Sequence, residues 1–222
     1  MEIKVLRDIL SANDAIASRN QSRLDKHNIL AINIMSSPGA GKTSLILRTI
    51  EKLKTQARIA VIEGDVASTI DADKVSQQGV TAIQINTAGG CHLDANMTEN
   101  ALGNLPLEDI DLLFIENVGN LICPAGFALG EHTRVILLSV PEGDDKPYKY
   151  PSMFIGADVV LINKIDLLPY LDFNVIAFTQ AVSGLNPKVK IFQISCKTGQ
   201  GLEGWFSWLQ DTIKEIQSCH SS

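Results

Sequence analysis

The chain has 222 residues, 45% hydrophobic and 20% charged, and its 19 basic and 25 acidic residues give a net charge of −6. That composition excludes disorder, a collagen-like rod and a disulfide-stapled mini-scaffold, and it allows one domain with a substantial core. With no basic run to neutralise a phosphate backbone, no apolar run long enough to cross a bilayer and charges throughout MEIKVLRDIL, we expect no nucleic acid, no membrane and a cytoplasmic location.

The first 25 residues read as a helical arm, with Ile3, Leu6, Leu10 and Ile16 at roughly helical spacing. The arm has two docking options, on its own domain or on a second copy. From residue 29 to 194, short β-branched runs alternate with polar or periodic stretches: Ile29–Met35, Ile59–Glu63, Thr81–Ile85, Leu112–Ile115, Val135–Val140, Val159–Ile162 and Lys190–Ile194. This is the pattern of an α/β domain, with a mostly parallel sheet and helices on both faces. Leu202, Trp205, Phe206, Leu209, Ile213 and Ile216 form one apolar stripe of a closing helix. We therefore divide the chain into a helical arm at 1–25, one domain at 26–217 and a flexible tail at 218–222.

After the run LAINIM comes Ser36-Ser37-Pro38-Gly39-Ala40-Gly41-Lys42-Thr43-Ser44, leading into the periodic stretch LILRTIEKL. Strand, glycine-rich turn and helix in that order form a phosphate-binding loop, so the expected fold is of the P-loop GTPase type. Backbone N–H groups from Gly39, Ala40 and Gly41 through Ser44 cradle phosphates, Lys42 reaches the β- and γ-phosphates, and the Thr43 hydroxyl ligates magnesium. Ser36 stands where the usual motif has its first glycine; a coincidental glycine-rich turn is the alternative.

Asn163-Lys164-Ile165-Asp166 closes the run DVVLI, at a strand end where open α/β sheets bind ligands. The Asp166 carboxylate can accept from guanine N1–H and the 2-amino group, a donor pair adenine lacks, which selects GTP and GDP. Ser195-Cys196-Lys197 resembles the loop whose backbone N–H meets guanine O6, with the Cys196 thiol structural. Asp65 and Glu116 end two further runs, placed to hold magnesium directly or through water, and Gly119 can give an N–H to the γ-phosphate. A solvated strand end is the competing account of either carboxylate. Asn120 follows Gly119 where a water-orienting glutamine would sit, so intrinsic hydrolysis should be slow, on the order of 10⁻⁴ to 10⁻² s⁻¹.

The cysteines are Cys91, Cys123, Cys196 and Cys219, with no CxxC pair, so any metal site must be assembled by the fold. Cys91 and His92 follow a double glycine just before the expected helix LDANMTENAL, where a thiol should have a lowered pKa. Neighbouring residues diverge along a helix or strand, so this pair can share an ion only at an irregular turn. With Cys123 they supply three ligands, completed by water or by a second chain across a two-fold axis. Buried core cysteines and a capping histidine are the alternative. Residues 75–93 and 117–130 contain no Asp, Glu, Lys or Arg, as an interface core would. The segment from Glu142 to Tyr150 adds aromatic residues beside Lys146 and Lys149, and Lys146 is the favoured lysine to approach a partner's γ-phosphate. His27 and His132 read as surface residues, and Cys219-His220 as part of the tail.

Taken in order, SSPGAGKT, VIEGD, GGCHLDANM, ENVGNLICPA, EGDDKPYKYPSMF, NKIDL and SCKTGQG resemble the HypB family, the nickel-incorporation GTPases of NiFe-hydrogenase maturation. The resemblance covers nearly everything from Leu30 onward. It implies a GTP-dependent, GTP-hydrolysing metallochaperone that dimerises, and the charge-poor segments, the three-ligand deficit and residues 142–150 together point to a two-fold homodimer favoured by GTP and metal. The resemblance also implies nickel or zinc bound through Cys91, His92 and Cys123, with the nickel chaperone HypA and the hydrogenase large subunit as partners. Two features of the family are missing, the Cys-rich N-terminal nickel motif and a His-rich stretch, so metal storage is not expected. A urease-type nickel-delivery GTPase would carry Cys-Pro-His where this chain has Cys123-Pro124-Ala125. A cobalamin-enzyme guard leaves GGCHLD unexplained. A nucleotide-gated scaffold with negligible turnover is the alternative from a different class. Thiolate and imidazole suit nickel and zinc alike. Because Cys123 lies four residues past Gly119, loss of γ-phosphate contacts could move one metal ligand.

Overall fold

A computed structural model describes residues 2–65 and 70–219, with side chains for 10–65 and 71–218. The side chains of Ile3, Leu6 and Cys219 and the tail residues 220–222 lie outside the described residues. The strands are β1 (Leu30–Ser36), β2 (Ile59–Asp65), β3 (Thr81–Asn86), β4 (Leu112–Glu116), β5 (Thr133–Ser139), β6 (Val159–Asn163) and β7 (Lys190–Gln193). They form one sheet in the order β3-β2-β4-β1-β5-β6-β7, parallel at every described pairing. The strands inside such a sheet are covered on both faces, which is why β1, β4 and β6 are buried along their whole length and mostly apolar.

The helices are α1 (Glu2–Lys26), α2 (Lys42–Leu53), α3 (Ile70–Ser76), α4 (Ala95–Leu102), α5 (Lys146–Lys149), α6 (Pro151–Ile155), α7 (Val175–Leu185) and α8 (Leu202–Cys219). Alternate residues of β1 serve opposite faces. Leu30, Ile32 and Ile34 pack with α2 and α8, where Trp205 is fully buried and donates to Thr49 Oγ1 at 3.0 Å. Ala31 faces the α1 and α4 side with Leu24, and Met35 meets the α6 and α7 side with Phe154 and Phe178. Among the described residues no helix is long and apolar enough to cross a membrane.

The arm α1 packs within its own chain. At its C-terminal end Asp25 Oδ1 lies 2.9 Å from His132 Nε2, and His132 Nδ1 accepts from the Ala31 N–H at 3.0 Å. His132 is therefore a structural link, correcting the expectation of a surface residue; its side chain is 12% exposed. The sequence signal was weak because its partners lie about 100 residues away.

His132→Ala strands the buried Ala31 N–H and unties α1. Urea unfolding should show a loss of about 1–3 kcal/mol, whereas an unchanged midpoint would contradict the link.

Candidate functional site

The chain leaves β1 at Ser36, turns through 37–41 and enters α2 at Lys42. Two backbone positions need glycine: Gly39 has φ +75°, and Gly41 has φ +108° with space for a Cβ only 2.5 Å from Asn163 Nδ2. The Asn163 amide reaches across to donate to Ala40 O at 2.9 Å, and Lys164 Nζ donates to Gly39 O at 2.7 Å. Residues from the NKID segment thus brace the loop. Lys42 Nζ donates to Ser36 Oγ at 3.2 Å, so the serine replacing the usual glycine holds the amine. Burial lowers the lysine pKa, and Glu116 is the leading influence opposing that shift.

Beside this loop a cavity of about 420 Å³ is lined by Gly39, Gly41, Ser44, Asn163, Lys164, Asp166, Leu167, Cys196 and Lys197. Asp166 Oδ1 accepts from Ser195 Oγ at 2.6 Å, which fixes the carboxylate at the cavity wall. Asn163 Oδ1 accepts from the Cys196 N–H at 3.1 Å, and Arg48 Nε donates to Cys196 O at 2.9 Å. Burial pushes the Cys196 thiol up to about 11, leaving it inert at neutral pH.

At the ends of β2 and β4, Glu63 and Glu116 are in register, so both side chains leave the same face. Thr43 Oγ1 donates to Glu116 Oε1 at 2.9 Å. Burial raises Glu116 to about 7 against the pull of Lys42 and Thr43, and burial followed by Glu116 raises Glu63 to about 7. Each carboxylate keeps one buried oxygen without a hydrogen-bond partner, Glu63 Oε2 and Glu116 Oε2. Buried carboxylate oxygens beside a threonine hydroxyl suit a hard divalent cation, which would supply the missing partner. Asp65 ends β2 close enough to raise both glutamates further. Sequence reasoning missed Glu63; the only signal was one acid inside the apolar run IAVIEGD.

After Glu116 the backbone crosses to the phosphate loop, where a Cβ on Gly119 would lie 3.1 Å from Pro38 Cα. Asn120 Oδ1 accepts from the N–H groups of Ile122 (2.8 Å) and Cys123 (3.3 Å). Asn120 therefore shapes the turn into Cys123.

The ligand atoms of Cys91, His92 and Cys123 all lie within 4.8 Å of one another. The irregular turn that lets neighbours converge comes from Ala88 (φ +50°) and Gly89 (φ +95°), and Cys91 Sγ sits 3.5 Å from His92 Nδ1. The His92 ring packs on Phe127 at 4.1 Å between centroids. One expectation is corrected: the Cys91 pKa is raised, chiefly by its hydrogen bond with the Cys123 thiol. The lowering expected from a helix N-terminus is absent because α4 begins at Ala95 with Asp94 as its cap, leaving Cys91 before the helix terminus. Lys146 Nζ donates to Glu142 O at 2.7 Å and pairs with Asp145, which holds it within its own chain.

Asn117, fully buried, joins the two regions. Its Oδ1 accepts from Leu93 N–H and from Val118 N–H, both at 3.0 Å, and its Nδ2 donates to Asn33 Oδ1 at 3.3 Å.

Residues 30–193 match the family model described as CobW/HypB/UreG, nucleotide-binding domain. The hydrogenase maturation factor HypB of Rhizobium leguminosarum is 50% identical over 94% of this chain and 70% of its own length. That of Escherichia coli K12 is 47% identical over 95% and 72%. Among solved structures, HypB from Archaeoglobus fulgidus superposes with a TM-score of 0.86 at 41% identity, covering 91% of this chain and 99% of that one. HypB from Helicobacter pylori in complex with nickel gives 0.87 at 41% identity, covering 92% and 96%.

The paired carboxylates predict a stability profile. A carboxyl with a raised pKa holds its proton more tightly in the folded state, so its contribution is complete below about pH 4.5 and is lost as pH rises through about 7. Glu63→Gln should therefore stabilise the nucleotide- and metal-free chain at pH 8 by on the order of 1 kcal/mol, with little effect at pH 5. Thermal melts at the two pH values check this; equal shifts would contradict it.

Proposed function

The chain belongs to the CobW/HypB/UreG family and, within it, to the HypB hydrogenase maturation factors; from that premise we propose that it hydrolyses GTP and delivers nickel to the hydrogenase large subunit. Residues Gly39 to Ser44 hold the phosphates, with Lys42 moving from Ser36 onto the β- and γ-phosphates. Thr43 and Glu116, with Asp65 nearby, hold magnesium, which when bound neutralises charge developing on the phosphates. Asp166, oriented by Ser195, reads the guanine edge, and the Ser195–Lys197 loop closes over the base. With Asn120 committed to the backbone turn and no glutamine after Gly119, hydrolysis is slow. This favours use of the nucleotide as a switch.

Cys91, His92 and Cys123 hold the cargo metal, nickel or zinc. The nickel complex of the Helicobacter pylori relative supports nickel. Three ligands and an exposed Cys91 leave room for a water or for a second subunit. We assign a homodimer favoured by GTP and metal, with exposed Tyr148, Tyr170, Leu171 and Ile176 as apolar surface for such contacts. The expected recipients and helpers are the hydrogenase large subunit and HypA, in the cytoplasm.

The observation that carries the reading is continuity. One segment runs from Glu116 past Gly119 to Cys123, and Asn117 within it hydrogen-bonds the residue after His92.

Lys42→Ala should lower magnesium-dependent GTP turnover by about 10²-fold or more, since a phosphate charge contact is lost. Asp166→Asn should weaken GTP binding by roughly ten- to a hundredfold and improve binding of xanthosine nucleotides. Turnover of ATP at the GTP rate would refute the guanine assignment. Cys123→Ala should abolish most nickel affinity in an absorption titration while GDP affinity stays within about twofold. Wild-type nickel binding in that variant would refute the three-ligand site.

A further inference from the structure

The ligand-bearing segments before α4 and before β5 lie outside the strand ladders, so side-chain contacts must fix their separation. Two such contacts come from α1. Asn13 Oδ1 accepts from the Ala95 N–H at 2.9 Å while its Nδ2 donates to Ala128 O at 2.9 Å. Asn20 Nδ2 donates to Ala95 O at 2.8 Å and to Leu129 O at 2.9 Å. Positions seven apart on a helix differ by only about 20°, so both amides leave the same face. Both residues are buried, at 7% and 1% exposure, and each bridges the two segments. Ala95 N–H is one of the α4 amides that no intrahelical carbonyl can satisfy, and Asn13 supplies its acceptor.

The same segments are joined from below. Asn117 binds Leu93 N–H and Asn33, Asn33 Nδ2 donates to Glu131 Oε1 at 3.3 Å, and Glu131 Oε2 accepts from Leu129 N–H at 2.6 Å. Asn20 then returns from Leu129 O to Ala95 O, closing a hydrogen-bonded circuit that begins and ends two residues apart, just after His92. The backbone crosses α1 so closely at Gly130 (φ +102°) that a Cβ there would lie 2.5 Å from Asn20 Cβ and 2.8 Å from Ala17 O.

We propose that Asn13 and Asn20 of α1 are positioning residues for the metal site, clamping the Cys91-His92 segment to the Cys123 segment so that three ligands meet one ion. Their positions make the arm part of the metal site's support. The inference rests on the assignment of Cys91, His92 and Cys123 as ligands. Preorganised ligands lose less freedom on binding, so releasing the clamp lowers affinity without removing a donor atom.

The test is a nickel titration of the full GDP-bound chain, read by thiolate-to-nickel absorption. Asn13→Ala and Asn20→Ala should each weaken nickel binding about tenfold and together more, with GDP affinity within about twofold. Asn13→Asp keeps the acceptor for Ala95 but loses the donor to Ala128, and should fall between wild type and Asn13→Ala. Thr49→Val, which removes the Trp205 contact on the opposite face of the sheet, should lower Tm without changing nickel affinity. In the unsubstituted chain, nickel should slow amide exchange in α1 around residues 13–20, a readout independent of whether the variants fold. Wild-type affinity in the double variant, or no nickel protection of α1, overturns the clamp while Cys123→Ala still loses nickel. Retained affinity in Cys123→Ala overturns the ligand assignment itself, and the clamp with it.

Discussion

One buried amide oxygen, that of Asn117, holds the backbone on both sides of the divide between the phosphate loop and the cluster of Cys91, His92 and Cys123. A carbonyl oxygen that accepts from Leu93 and Val118 in a fully buried position is costly to move, because either N–H would be left unsatisfied. The segment after Glu116 therefore cannot shift independently of the segment after His92. On the proposed assignment of the two sites, this constraint gives the phosphate loop a mechanical path to the Cys91, His92 and Cys123 cluster over a few residues. A parallel sheet that gathers its loops at the carboxyl ends of its strands makes so short a path available.

Much of the architecture could be read from the chain. All seven strands were visible because a sheet covered on both faces demands apolar runs, and even the half-exposed edge strands β3 and β7 kept enough Ile and Phe to register. The turn from Ser36 to Thr43 announced itself through Gly39 and Gly41, whose positive φ angles admit few other residues. Cys91, His92 and Cys123 were legible as a group because the double glycine offered the irregular turn that neighbouring ligands need.

The supporting residues were not legible. Asn33 and Glu63 are polar residues inside strands, Asn117 directly follows β4, and Asn13 and Asn20 are two amides on a long helix. Their partners lie up to 115 residues away, beyond any local periodicity. The Cys91 pKa was misjudged for a related reason: Asp94 takes the cap and starts α4 later than the apolar pattern suggests, and the thiol's environment is set by Cys123. Residue type and spacing announce groups that touch a ligand, whereas groups that hold those groups in place depend on the assembled fold.

On the proposed reading, nucleotide state and metal affinity are one linked equilibrium carried by residues 116–123. The nickel dissociation constant of the magnesium-loaded chain is measured with GDP and again with a non-hydrolysable GTP analogue, and both are repeated for Asn117→Ala. A difference of about fivefold or more between the two nucleotides is expected in the wild type, reduced in Asn117→Ala, which leaves the Leu93 and Val118 N–H groups without their shared acceptor. Equal nickel affinity in both nucleotide states of the wild-type chain would contradict it.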